Sequence, residues 1–319
     1  MDGGDVGDVV ILGAGAMGCL YGARLARGGH RVRLVDVRRE QVDAINRDGL
    51  TLEDDAGVAT TRPVARLPGE ARDPASLVIL FTKAFHSAGA LDGARAVLGP
   101  DTWVLTLQNG LGHVEVIRRY LADDTRIVVG TTTFPADLVG LGRVRTHGSG
   151  QSKIMTVAGA GAAGGTDVAG DRLRAIAAAF SACGLHTQVS EDVFASIWEK
   201  LAFNCAMNAL AAVSGFTVGE MGRAPEGRAI ADRVVTEVVA VAQRKGIPAD
   251  LARVRAVIAM AFREHTDHKP SMLQDLLAGR PTEIDAINGA VVREAAALGM
   301  DVPTTATLGD LVRLREPRD

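Results

Sequence analysis

The sequence predicts an α/β N-terminal domain built on a doubly wound parallel sheet, followed by an all-α C-terminal domain. Three observations carry this. Short apolar strand patterns alternate with helical ones through the first half. A glycine-rich turn joins the first strand to the first helix, and strand patterns largely disappear from about Asp192 onward. A chain of 319 residues is long for one compact domain, so two are expected, over 1–190 and 191–319.

The first strand is the apolar, β-branched run DVVILG, from Asp8 to Gly13. Its composition suits a strand buried on both faces. The segment GAGAMG, Gly13 to Gly18, follows at once, and a helical pattern runs on to Arg27. Gly28 and Gly29 stop that helix, and Arg31 to Asp36 supplies the second strand. Strand, glycine turn, helix and strand in this order form the βαβ unit of a Rossmann-type dinucleotide site. Gly13 permits the tight turn, and Gly15 lets backbone approach a pyrophosphate. Gly18 lets the helix press on the sheet, and Ala16 and Met17 open the helix whose N–H groups face the anion. Asp36, at the end of the second strand, is placed to accept from an adenosine ribose hydroxyl, which favours NADH. Arg38 and Arg39 follow closely and are able to fold over the extra phosphate of NADPH.

Further strands are expected at Leu77–Phe81, Trp103–Leu107 and Arg126–Gly130. Lys83 and Asn109 fall just past two strand ends, where such sheets collect ligands. Lys83 suits a phosphate, a ribose or an anionic substrate, and Asn109 a nicotinamide or substrate group. Alone, each also reads as a solvated loop lysine and a common Asn-Gly turn. The Gly- and Ala-rich stretch 158–170 reads as a flexible loop, with a helix over 173–180 and a short strand near His186 to Val189 after it.

In the second half, Ser196 to Leu210 has helical composition with no Gly or Pro. Lys200, Asn204 and Asn208 recur every fourth residue and so share one helix face. Apolar residues cover the rest, as in a buried helix. A polar row on such a helix needs either a hydrogen-bonded neighbour or a wet cleft, and three polar groups in register favour the cleft. A further helix is expected over Asp250–Glu264. Thr282 with Asp285 resembles a cap for a long final helix, which puts Glu283 in its first turn. Ser271 reads as an N-cap. From the residues alone, Glu283 and Ser271 are structural.

Composition narrows the function. Lys and Arg number 35 against 38 Asp and Glu, a net charge of -3. That excludes the basic footprint of a nucleic-acid or membrane-surface binder. The acidic, Gly-rich start from Met1 to Asp8 does not read as a signal peptide, and no apolar run is long enough to span a membrane. Cys19, Cys183 and Cys205 lie far apart, and the seven histidines form no metal-binding pair. A soluble cytoplasmic chain with reduced thiols and no metal is expected.

Taken together, these segments resemble the ketopantoate reductase family over nearly the whole chain. The resemblance rests on GAGAMG, Lys83 after a strand, Gln108 with Asn109 and Gly110, and the run Trp198 to Cys205 with Asn208. It continues through PSMLQD around Ser271 and RPTEIDAING around Glu283, the two most specific stretches. It implies a Rossmann domain and a helical domain with the active site between them. Lys200 would protonate the carbonyl oxygen as hydride arrives, and Glu283 would orient the substrate and couple to the lysine. Asn109, Asn204, Asn208 and Ser271 would bind substrate or the nicotinamide amide, and Lys83 would lie near the cofactor and the substrate carboxylate. The implied reaction is NAD(P)H-dependent reduction of a branched 2-keto acid, with 2-dehydropantoate to pantoate the best guess. The family usually prefers NADPH, with a basic residue where Asp36 stands. That aspartate, NGLGH at 109–113 and TTT at 131–133 also resemble NAD-dependent D-2-hydroxyacid dehydrogenases of the D-mandelate type. An inactive nucleotide-binding regulatory module is the remaining class, and Lys200 with Glu283 argues against it. The expected partner is a small keto acid, and a homodimer through the helical domain is compatible with its apolar faces.

Overall fold

A computed structural model describes residues 6–159 and 168–317. The chain forms two compact units, Met1–Gln108 with His113–Val193, and Asn109–Gly112 with Phe194–Asp319.

The first unit contains twelve described strands: β1 (Val9–Leu12), β2 (Val32–Val35), β3 (Leu50–Asp54), β4 (Gly57–Thr61), β5 (Val64–Arg66), β6 (Leu77–Leu80), β7 (Trp103–Thr106), β8 (Ile127–Thr132), β9 (Asp137–Gly140), β10 (Arg143–Arg145), β11 (Ser152–Thr156) and β12 (Thr187–Val189). Eight of them form one sheet in the order β12-β11-β8-β7-β6-β1-β2-β5. Every neighbouring pair is parallel except β8 with β11. Helices α1 (Ala16–Arg27), α2 (Arg39–Asp48), α3 (Ser87–Gly93), α4 (His113–Ile117) and α5 (Val168–Ala182) complete the unit.

Side chains of β1 alternate between two cores, as a doubly covered sheet requires. Val9 and Ile11 pack with Leu20, Tyr21 and Phe180. Val10 and Leu12 pack with Leu91, Val97 and Ile117 on the other face. Register pairs Leu12 with Val35 of β2 and Leu80 of β6. The turns after these three strands therefore emerge at the same sheet end.

A second sheet, in the order β4-β3-β10-β9, was not among the expected elements. Its fully buried apolar residues are Leu50 and Leu52 of β3 and Val144 of β10, so no strand shows an alternation long enough to stand out. The β3–β4 hairpin turns through Asp55 and Ala56, and Gly57 just after them has a φ of +119° that suits glycine. Of the loop expected over 158–170, residues 160–167 lie outside the described residues, and α5 already begins at Val168.

The second unit is helical: α6 (Val193–Ser214), α7 (Val218–Arg223), α8 (Pro225–Arg244), α9 (Leu251–Glu264), α10 (Ser271–Leu277), α11 (Asn288–Ala297) and α12 (Pro303–Arg315). Its core gathers Leu201, Cys205 and Met207 of α6 with Val234, Val235, Val238 and Val239 of α8. A capping box starts α7, in which Thr217 and Glu220 each satisfy the other's backbone N–H. No helix is long and apolar enough to cross a membrane among the described residues.

The long final helix expected from Thr282 is instead two helices, and α11 begins only at Asn288. Residues 283–287 form a turn in which the Glu283 carbonyl accepts from the N–H groups of Ala286 and Ile287, both at 3.0 Å. Glu283 therefore lies outside any first helical turn. The physical reason is competition. Thr282 gives its N–H and hydroxyl to Glu316 at 2.8 and 2.7 Å, and the Asp285 carboxylate pairs with Arg313 at 2.7 Å.

Candidate active site

In the first unit, the glycine turn is built as its spacing requires. Gly13 has φ +100°, and a Cβ there would lie 2.8 Å from the Thr82 nitrogen. A Cβ on Gly18 would lie 1.8 Å from the Gly13 carbonyl oxygen, so α1 and the turn are in direct backbone contact. A Cβ on Gly15 would meet nothing within 4 Å, and open space lies on that side. No side chain caps α1 and its first turn, Ala16 to Gly18, carries no acid. Uncapped N–H groups at a helix start beside an unobstructed glycine suit a pyrophosphate. The cradle fits a dinucleotide.

Asp36 follows β2 and is only 10% exposed. One carboxylate oxygen accepts from the Ala14 N–H at 2.7 Å, and the other from the Arg38 N–H at 2.9 Å. The Arg38 guanidinium lies 3.4 Å from the same carboxylate. Asp36 thus anchors the glycine turn as well as ending the strand. Two side chains outside the expected set do related work. Gln41, fully buried, donates to the Ala14 carbonyl at 2.8 Å and accepts from the Gly142 N–H at 3.0 Å. Gln108 donates to the Thr82 carbonyl at 2.7 Å and to Ser87 Oγ at 2.8 Å, tying the ends of β6 and β7 together. An uncharged amide on the apolar face of a polar helix was the one signal for Gln41. Lys83 is half-buried, one residue past the Thr82 that abuts Gly13.

In the second unit, α6 is continuous through Lys200, Asn204 and Asn208, so the three lie along one face. Leu201, Ala202, Cys205, Ala206 and Met207 around them are buried, as are Asn204 and Asn208, while Lys200 is half-buried. Burial pulls the Lys200 ammonium down from its ordinary 10.5 to about 8, and the Glu283 carboxylate works in the opposite direction. The two are therefore electrostatic neighbours. An ammonium titrating close to neutrality is able both to give and to regain a proton.

Asn109 is half-buried, and its loop is bonded to the Glu283 turn. The Leu111 N–H donates to the Ala286 carbonyl at 2.9 Å, and a Cβ on Gly110 would lie 2.3 Å from that same oxygen. Gly110, with φ +91°, lets the loop approach that closely. Ser271 is not brought into this set by any bond among the described residues. It is exposed at the first position of α10, and Pro270 rather than Ser271 occupies the cap.

The chain matches two family models, "Ketopantoate reductase PanE/ApbA" over residues 9–159 and "Ketopantoate reductase PanE/ApbA C terminal" over residues 192–316. It is 36% identical to the 2-dehydropantoate 2-reductase of Halobacterium salinarum, over 97% of this chain and 98% of that one. The enzyme of the same name from Streptococcus pyogenes serotype M1 is 33% identical, over 97% of each chain. Among solved structures, D-mandelate dehydrogenase with NADH and anilino(oxo)acetate is similar at a TM-score of 0.89 and 31% identity, covering 97% of this chain and 98% of that one. A PanE/ApbA family ketopantoate reductase from Ralstonia eutropha JMP134 gives 0.84 at 33% identity, with the same coverage. Full-length likeness at this level, on an α/β unit with a dinucleotide cradle and a helical unit with a Lys–Glu pair, identifies the chain as an oxidoreductase of the ketopantoate reductase family.

Proposed function

We propose that this protein reduces a branched 2-keto acid to the 2-hydroxy acid, with 2-dehydropantoate as substrate and pantoate as product. The observation that carries the reading is Lys200, which shares one face of α6 with the buried Asn204 and Asn208 and has the Glu283 carboxylate as its electrostatic neighbour. The names of its full-length relatives support the choice of substrate.

In this reading residues 1–190 bind the cofactor and 191–319 bind the substrate and supply the proton. Gly13, Gly15, Ala16, Met17 and Gly18 cradle the pyrophosphate, Asp36 meets the adenosine ribose, and Lys83 and Asn109 complete the cofactor's contacts. A reduced nicotinamide held there supplies the hydride that reaches the carbonyl carbon. Lys200 stabilises the negative charge growing on the carbonyl oxygen and delivers the proton to it. Glu283 holds the substrate hydroxyl and keeps the lysine charged near neutral pH. Asn204, Asn208 and Ser271 orient the acid.

A second reading, an NAD-dependent D-2-hydroxyacid dehydrogenase of the D-mandelate type, draws on Asp36 and on the likeness to D-mandelate dehydrogenase with NADH. Initial rates with 2-dehydropantoate and with benzoylformate, each with NADH and NADPH, separate the two. A preference for 2-dehydropantoate supports the first reading, and strong benzoylformate turnover with NADH replaces it with the second.

For the cofactor we favour NADH, because the Asp36 carboxylate repels a 2′-phosphate. Asp36→Ala is expected to weaken both cofactors, since the Ala14 N–H loses its acceptor. It should weaken NADH more, moving the NADPH-to-NADH ratio of kcat/KM upward by about tenfold, or 1.4 kcal/mol. An unchanged ratio would show that Asp36 does not face the ribose.

A further inference from the structure

The end of α12 grips both elements that carry the Lys–Glu pair. Arg315 donates from one guanidinium nitrogen to the Ala212 and Val213 carbonyls at 2.7 and 2.8 Å. These belong to the last turn of α6, where carbonyls lack helical partners and the helix dipole is negative. The next residue, Glu316, accepts from the N–H and the hydroxyl of Thr282 through a single oxygen, at 2.8 and 2.7 Å. Thr282 is 5% exposed, and its hydroxyl in turn accepts from the Ile284 N–H at 3.2 Å. Glu283 sits between those two residues. Arg313 adds a bond to Asp285, but that pair is 39% and 74% exposed, and surface pairs of this kind contribute little. The weight falls on Glu316, whose carboxylate meets the N–H and the buried hydroxyl of Thr282.

We propose that Glu316, acting through Thr282, is a positioning residue that holds Glu283 in register with Lys200 for proton delivery. The proposal rests on the assignment of Lys200 as proton donor. Glu316 has no need to touch substrate. It fixes the backbone on the N-terminal side of Glu283, while the Leu111 N–H on the Ala286 carbonyl fixes the C-terminal side. Glu283 is the charged group that acts on Lys200, in the direction that keeps it protonated. A turn released at Thr282 lets Glu283 drift, and the lysine then loses its proton at lower pH.

The test is the pH dependence of kcat/KM for keto acid reduction in Glu283→Gln, Glu316→Ala, Glu316→Gln and the double variant E283Q/E316A. Glu283→Gln should move the alkaline fall in rate to lower pH, by about half a unit or more. Glu316→Ala should move it the same way and lower kcat about tenfold. Glu316→Gln keeps an oxygen for both Thr282 donors and should restore the wild-type profile. In the double variant, E316A should add no shift to that of E283Q, as expected for residues acting in series. A merely structural role would lower Tm and leave the fall where it was. If Glu283→Gln moves the fall and Glu316→Ala does not, the positioning proposal is overturned. If Glu283→Gln itself moves nothing, the Lys–Glu assignment fails, and the proposal with it. Should Glu316→Ala not fold, Thr282→Val removes the hydroxyl and keeps the N–H, and a smaller shift in the same direction is required.

Discussion

Lys200→Ala is expected to lower kcat for keto acid reduction by roughly 10²–10⁴-fold, the range for loss of a positioned general acid. The dissociation constant for NADH should stay within about twofold of wild type, since the pyrophosphate cradle is built entirely from the other compact unit. Steady-state rates and a cofactor fluorescence titration measure the two quantities separately. Lys200 is half-buried on α6, so its truncation also removes packing. Lys200→Met keeps most of that packing without the charge and should be equally inactive. Turnover retained in both variants would remove the proposed proton donor.

The next largest effect is expected at the glycine turn, where two alanine substitutions should fail in different ways. In Gly18→Ala the new methyl would stand 1.8 Å from the Gly13 carbonyl oxygen and 3.3 Å from the Ile11 side chain. Backbone on one side of the turn has to move. The expected cost is about 1–3 kcal/mol of stability, seen as a Tm lower by several degrees, together with weaker cofactor binding. In Gly15→Ala the methyl meets nothing within 4 Å and the φ of −76° suits any residue. Stability should hardly change. Cofactor affinity should nevertheless fall by about tenfold or more, equivalent to 1.4 kcal/mol, because the methyl fills the side from which a pyrophosphate approaches. Normal affinity in Gly15→Ala would place the phosphates elsewhere.

The start of the chain was legible because its constraints are local. Gly13, Gly15 and Gly18 lie within six residues of one another, and each answers to a turn, an open face or a close contact. The polar row on α6 was legible for the same reason, since four-residue spacing alone puts Lys200, Asn204 and Asn208 on one side. From spacing alone the Glu283 turn reads as a helix start, because Thr282 and Asp285 lie three residues apart as in a cap. Their true partners, Glu316 and Arg313, lie 34 and 28 residues away. Arg315 reaches carbonyls 103 and 102 residues distant, beyond any pattern a window of sequence can hold. The small second sheet leaves little trace in the sequence because β4, with exposed or half-buried positions throughout, shows no apolar alternation.

The measurement that bears most directly on Lys200 as proton donor is kcat/KM against pH in both directions, keto acid reduction and hydroxy acid oxidation, from about pH 6 to about 10. Burial holds the lysine at about 8. Reduction needs the ammonium, so its rate should be flat below that point and fall tenfold per unit above it. Oxidation needs the free amine, so its rate should climb through the same point and then level off. Mirror-image profiles crossing near pH 8, both lost in Lys200→Ala, are the predicted result. A reduction rate that stays flat to about pH 10, or a profile unchanged in Lys200→Ala, would contradict the assignment.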